Sequence, residues 1–248
     1  MRAILTYHSV DETGSVISIS ERSFRRHVAW LAQGHVRVVP LEDITRVSSD
    51  EDAVAITFDD GLASFGRIAA PRLLDCGLPA TVFVVTDAVG STNVWHGRQD
   101  AGIPVQPLLD WEQLGALHEA GVTLGAHTCT HPRLTGVEGD ALEREIVASK
   151  QRLARELGVD AMTFAYPYGA VSRAARDVVA RTFHFGCTTR LAALASGEDP
   201  AMLPRLDSYY LRSPDALEAW GSRRFRMRLG VLAGARSVRG TLTASLVR

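Results

Sequence analysis

The sequence predicts an α/β domain built on a largely parallel sheet. Three observations carry that expectation. Short apolar runs of β type alternate with longer stretches of helical periodicity. The runs are apolar on both faces, as strands covered by helices must be, and the conspicuous polar motifs fall where runs end. Seven or eight such units in 248 residues suit a small closed barrel as well as an open sheet. A barrel gathers its chemistry at the C-terminal ends of several strands.

The elements follow in order. AILTY (3–7) reads as the first strand, and HVRVV (35–39), VAITF (54–58) and ATVFVV (80–85) as the next three. VTLGA (122–126), MTFAY (162–166) and HFGCTT (184–189) follow, with MLPRL (202–206) as an eighth. Ser20 is placed to cap a helix that carries Phe24, Val28 and Leu31 and stops near Gly34. Residues 63–76 read as a helix ending at Gly77, but Pro71 has no N–H, so the helix should begin there or kink. Residues 111–120 put Trp111, Leu114 and Leu117 on one face, before Gly121. The clearest helix spans 140–157, with Leu142, Ile146, Leu153 and Leu157 in register and Gly158 beyond, and 174–181 is a shorter one.

Composition is that of a folded protein: 46% hydrophobic, 22% charged, net charge -1. That balance gives no reason to expect a nucleic-acid partner. The charge is unevenly placed, since residues 220–248 hold seven arginines and no Asp or Glu. The chain therefore divides into a folded domain, 1–220, and a basic tail, 221–248. Cys76, Cys129 and Cys187 make no disulfide framework and no CxxC site, and Cys76 and Cys187 lie on apolar patterns that place them in the core. The N-terminal MRAILTYHSV lacks a signal-peptide h-region, and no apolar run is long enough to span a bilayer. A cytoplasmic location is expected. If helical, the tail could lie on an anionic membrane at the inner face, although Gly230, Gly234 and Gly240 count against a helix.

Three clusters could do chemistry. Asp59-Asp60-Gly61 ends the VAITF strand, so one carboxylate could bind a metal while its neighbour takes a proton from water. His127 and His131, four apart, face one point if their loop makes a single helical turn. With Asp60 they would give zinc three protein ligands and leave a position open. Cys129 would point away from that face, as a packed side chain. Phe164-Ala165-Tyr166-Pro167-Tyr168-Gly169 sets aromatics around a rigid proline, where a backbone N–H could serve an oxyanion. Each cluster alone also reads as a plain turn, a pair of loop histidines or a buried aromatic corner. Their joint occurrence at strand ends favours a site.

TFDDG (57–61), HTCTHP (127–132), AYPYG (165–169) and the approach PLLDWEQLGALHEAGVTLGAH (107–127) resemble the polysaccharide deacetylases of the NodB-homology type, carbohydrate esterase family 4. The resemblance runs from about residue 3 to 218. It implies a distorted (β/α) barrel with seven or eight strands and metal-dependent removal of N-acetyl groups from a glycan or glycolipid, releasing acetate. It makes Asp59 the catalytic base, Asp60, His127 and His131 the metal ligands, and the Tyr168 backbone N–H the oxyanion donor. Zinc is the expected ion, and cobalt suits the same ligands. Asn93 and Trp95, in the long segment after the fourth strand, with Tyr166, Pro167 and Tyr168, are expected to touch the sugar.

Two departures matter. The arginine that opens the third motif in many members is Ala165 here, and Arg205 is the candidate to brace Asp59 from a neighbouring strand. No late histidine motif follows Arg205. The branch resembling the biofilm poly-N-acetylglucosamine deacetylases instead carries its acid near the N-terminus, and TYHSV (6–10) gives that role to His8. His8 is expected across the metal site from Asp59. Two other readings stay open: a cyclic amide or ureide hydrolase of the same superfamily, and a non-catalytic carbohydrate-binding protein. Ala165 lends weight to the second, and retention of Asp59 argues against it.

Overall fold

In chain order the strands are β1 (Arg2–Tyr7), β2 (Ser9–Val10), β3 (Ser18–Ile19), β4 (Arg37–Val38), β5 (Ala53–Phe58), β6 (Ala80–Val84), β7 (Thr123–Ala126), β8 (Thr163–Ala165), β9 (Phe185–Cys187) and β10 (Leu206–Asp207). They belong to a computed structural model that describes residues 1–245, with side chains through residue 235. Seven strands run parallel in the order β10-β1-β5-β6-β7-β8-β9, and the short β4 joins the first half of β5. The sheet curls into an incompletely closed barrel. Across the gap a single parallel bridge joins Cys187 to Leu203, just ahead of β10. β1, β5 and β6 are buried at every position, which explains their unbroken apolar runs. The run at 35–39 forms only a two-residue strand, and the last strand starts later than MLPRL suggested, at Leu206.

The helices are α1 (Glu21–Ala32), α2 (Ala70–Asp75), α3 (Trp111–Glu119), α4 (Gly139–Glu143), α5 (Ser149–Leu157), α6 (Arg173–Thr182) and α7 (Arg223–Ser245). Ser20 caps α1 by accepting from the Ser23 N–H. Asp110 and Gln113 close a reciprocal capping box on α3. The helix around Pro71 neither starts at the proline nor ends there. A π-turn at Phe65–Ala69 widens the backbone just before it and accommodates the missing donor. A second π-turn, Arg144–Ala148, joins α4 to α5.

Cys76 is exposed at the C-terminal end of α2, contrary to its apolar surroundings in sequence, whereas Cys129 and Cys187 are buried. The basic segment is helical despite its glycines, because Phe225 and Leu229 bury themselves in the main core. Packing of that kind outweighs propensity. Arg236, Arg239 and Arg248 lie outside the residues whose side chains are described. Among the described residues no helix is long and apolar enough to cross a membrane.

Candidate metal centre

Sheet register places the first two groups. Tyr7 of β1 pairs with Phe58 of β5, so the next residues, His8 and Asp59, leave adjacent strands side by side. His8 Nε2 lies 3.7 Å from Asp59 Oδ2. His8 therefore sits beside Asp59 and not across the site from it, since the two leave neighbouring strands in register and their tips stay close. His8 Nδ1 makes no hydrogen bond among the described residues.

Asp59 is gripped from the far side of β1. Arg205, on the approach to β10, donates Nη1 to Oδ1 at 2.6 Å and Nη2 to Oδ2 at 2.7 Å. Its Nε donates to the Thr188 carbonyl at 3.0 Å, and Nη1 also reaches Thr6 Oγ1 at 2.9 Å. Both partners are buried, Arg205 at 1% exposure and Asp59 at 3%. Burial acts to raise the Asp59 pKa, but the charge and hydrogen bonds of Arg205 outweigh it and leave the carboxyl below its ordinary range.

Asp60, His127 and His131 converge within 4.8 Å of one another, all buried. The imidazole Nε2 atoms lie 3.4 Å (His127) and 3.3 Å (His131) from Asp60 Oδ1. Those separations are long for hydrogen bonds. They match the edge of a tetrahedron whose ligand bonds are about 2.0–2.1 Å, roughly 3.3–3.4 Å. His127 Nδ1 lies 2.7 Å from the Ala165 carbonyl, so with the proton on Nδ1 its Nε2 is free to ligate. Burial pushes the His131 pKa down, which favours the neutral ring a ligand must be. Among the facing groups, burial would raise Asp60, but the two imidazoles hold its carboxyl well below the usual range. The three residues form a divalent-metal-binding triad.

The two histidines do not meet through a helical turn. Thr128 and His131 adopt left-handed φ of 68° and 65°, and the Thr128 hydroxyl accepts from the His131 N–H at 2.9 Å. Glu145, inside the second π-turn, holds the outside of this loop. Its carboxylate accepts from Cys129 N at 3.1 Å, Thr130 N at 2.9 Å and Thr130 Oγ1 at 2.7 Å. Asp60 and Tyr168 also have left-handed φ, 70° and 58°. Such conformations cost about 1–3 kcal/mol each and gather where function over-determines the backbone.

The pocket above these groups is about 90 Å³, lined by His8, Asp59, Asp60, Asn93, Trp95, Asp100, Tyr168 and Thr189 among others. Tyr168 lies edge-on to His131 with ring centroids 4.7 Å apart. Its hydroxyl donates to Asp100 Oδ2 at 2.9 Å. Of the expected sugar contacts, Trp95, Asn93 and Tyr168 line the pocket, and Tyr166 and Pro167 do not. Trp95 stacks on His131, centroids 4.3 Å apart, and forms part of the pocket wall. Asn93 spends its amide on the Pro104 carbonyl (3.1 Å) and the Gln106 N–H (2.8 Å), bracing its own loop. Tyr166 points into the core and donates to the Ala201 carbonyl at 2.9 Å, and Pro167 is buried; neither lines the pocket. Pro167–Gly169 form a 3₁₀ turn in which Tyr168 takes a left-handed φ of 58°, and this turn brings the Tyr168 ring to the pocket side. Asp100, Thr189 and Glu145 carried no signal in the sequence, for each sits in a loop or on a helix with no motif around it.

The sequence signature of a family described as Polysaccharide deacetylase matches residues 46–183, more than half of the chain. A Poly-beta-1,6-N-acetyl-D-glucosamine N-deacetylase of Staphylococcus epidermidis is 25% identical over 215 residues, covering 81% of this chain and 70% of that protein. The Streptococcus pyogenes deacetylase PplD, solved in complex with acetate, superposes with a TM-score of 0.74 at 22% identity, covering 88% of this chain and 96% of that one. IcaB from Ammonifex degensii gives 0.70 at 24% identity, with coverages of 88% and 98%. At these identities the two structures establish the fold. The matched segment contains Asp59, Asp60, His127, His131 and Tyr168, and it leaves His8 and Arg205 outside. With motif, triad and fold in agreement, the chain belongs to the polysaccharide deacetylase family and is at that level a metal-dependent hydrolase.

Proposed function

We propose that this hydrolase cleaves the N-acetyl amide of an amino sugar in a glycan or glycolipid, releasing acetate and a free amine. The observation that carries the reading is a buried carboxylate, Asp59, fixed by a two-pronged arginine beside both a metal triad and a histidine. A binding module has no use for that arrangement, and Arg205 fills the gap left by Ala165. Zinc suits the triad first and cobalt also. A bound ion would supply Lewis acidity, polarising the acetyl carbonyl and making water a stronger acid.

The chain's own groups do the rest. Asp59 accepts the proton of the attacking water, and Arg205 keeps that carboxylate ionised and aimed. The Tyr168 N–H donates to the oxygen that gains charge, a contribution of about 3 kcal/mol for one such donor. As the C–N bond breaks, His8 gives a proton to the departing nitrogen. An acetamido group entering the pocket would meet Asp59, His8 and Tyr168 together.

Acetate release from N-acetylated oligosaccharides tests the reading. Activity should vanish on chelation and return with zinc or cobalt. Turnover of cyclic ureides with none of N-acetylated sugars would replace it. The same reading extends to peripheral contact with an anionic membrane. Its support is the exposed flank of α7, where Arg223, Arg224 and Arg228 surround Met227 and Val231, 64% and 72% exposed.

A further inference from the structure

We propose that a groove beside the catalytic pocket binds the aliphatic, phosphate-bearing aglycone of a lipid-linked N-acetylated amino sugar. The proposal rests on the deacetylase reading and names the substrate class it would serve. The groove is about 470 Å³, five times the catalytic pocket, and Thr189 lines both. Thr189 thus stands where the two spaces meet, so a substrate whose acetamido group enters the smaller has the larger beside it.

The lining decides what that remainder is. Val171, Leu191, Met202 and Ala233 give aliphatic walls, and Arg190, ion-paired to Glu198, stands on the lining as a cation. Among the described residues no aromatic ring, carboxylate or side-chain amide lines it. Two hydroxyls also line it, and that of Thr188 is spent on the Leu203 carbonyl and the Arg190 N–H, so few groups are left to stack on a sugar face or bond its hydroxyls and a hydrocarbon chain fits better than a second sugar.

One wall belongs to α7, which contributes Ala233 to the lining. Gly221, just before α7, faces Asp52, and Arg226 lies by Met1, both at the N-terminal ends of the strands. Ala233 lies by Thr189 at the opposite, C-terminal mouth. The helix therefore climbs the flank of the barrel beside the segment that joins β9 to β10. Residues 234–245 continue it past Ala233 for about 18 Å at 1.5 Å per residue. The cation on the groove lining is Arg190, the group there that would meet a phosphate.

The test uses the full zinc-loaded chain and one headgroup, N-acetylglucosamine, carried on methyl, octyl or dodecyl phosphate below micellar concentrations, with UDP-N-acetylglucosamine and chitotetraose for comparison. Acetate release should give a kcat/KM that rises roughly tenfold or more from methyl to dodecyl. UDP-N-acetylglucosamine, with phosphate but no chain, should behave as the methyl compound. Ala233→Trp, which fills the groove, should flatten the series. Dodecyl phosphate alone should bind the chelated wild-type protein in calorimetry, and roughly tenfold more weakly to Ala233→Trp. A flat series in the wild type, or chitotetraose cleaved as fast as the dodecyl substrate, overturns the groove assignment and leaves the deacetylase standing. Dodecyl phosphate binding with no acetate from any substrate would instead remove the deacetylase reading.

Discussion

Arg205 and Asp59 are each the reason the other stays charged while buried. Removing one member of such a pair leaves an uncompensated ion and costs about 3–5 kcal/mol. Arg205→Ala should therefore lower the denaturation midpoint and also depress kcat, whereas Arg205→Lys keeps the charge but loses the fork that aims both carboxylate oxygens. An unchanged kcat in the alanine variant would end the bracing role. His8 is argued differently, since it touches Asp59 but no ligand of the triad is its partner. His8→Ala should lose roughly 10²–10⁴ in turnover while still taking up one equivalent of metal by titration. Near-normal kcat would place the acid elsewhere. At this scale the sequence was most readable where polar residues of these types gather at a strand end: Asp59 and His127 directly follow apolar runs, with Asp60 and His131 one and four residues on. It was least readable for Tyr166 and Pro167, because residue type reveals what a side chain can do and not which way the backbone turns it.

Among the elements, the π-turn at Arg144–Ala148 has the clearest consequence. One extra residue in the turn lets Glu145 reach the ligand loop, and a reading based on 3.6-residue periodicity has no way to register it. The same limit hid the left-handed residues that replace the expected helical turn between the histidines. Glu145→Ala should weaken metal binding by about 10–100-fold and shift the visible spectrum of the cobalt-loaded protein. Glu145→Gln, whose oxygen can still accept from both N–H groups, should restore most of both. An unaltered affinity and spectrum in the alanine variant would show that the loop holds itself. The packing of α1 on β1 has its own signature. His27 is fully buried, with Nδ1 3.0 Å from the Tyr7 hydroxyl, and burial lowers its pKa to about 4. The unfolded chain, near 6.5, binds that proton first, so stability is whole above about 6.5 and falls as the pH drops toward 4, by about 3 kcal/mol in total. Denaturant midpoints at several pH values should show this slope in the wild type and a shallower one in His27→Gln. Parallel curves for the two proteins would remove His27 as the cause.

At the scale of the whole molecule, the alternation of apolar runs was enough to expect a parallel α/β architecture, but not to choose between closed and open. That choice lies in long-range closure, here a single Cys187–Leu203 bridge, which leaves no local pattern in the chain. The basic segment was legible as composition and illegible as packing. Because Phe225 and Leu229 are part of the core, cutting the chain at Ser222 would expose apolar surface and confuse any membrane assay. The better comparison changes Arg223, Arg224 and Arg228 to Gln in the full chain. At about 1 kcal/mol per surface arginine, sedimentation with anionic vesicles at about 0.15 M salt should fall steeply in the variant. Equal partitioning of both proteins would leave the arginines without a membrane role.

The order in which the site's parts occur along the chain carries over to biosynthesis. The three metal ligands are complete once His131 has left the ribosome, whereas the arginine that grips Asp59 arrives only with residue 205. At usual elongation rates that interval is on the order of 4–15 s. The metal ligands are thus all synthesised before the arginine that fixes Asp59, and that grip forms last, when the final strand of the sheet docks against the first.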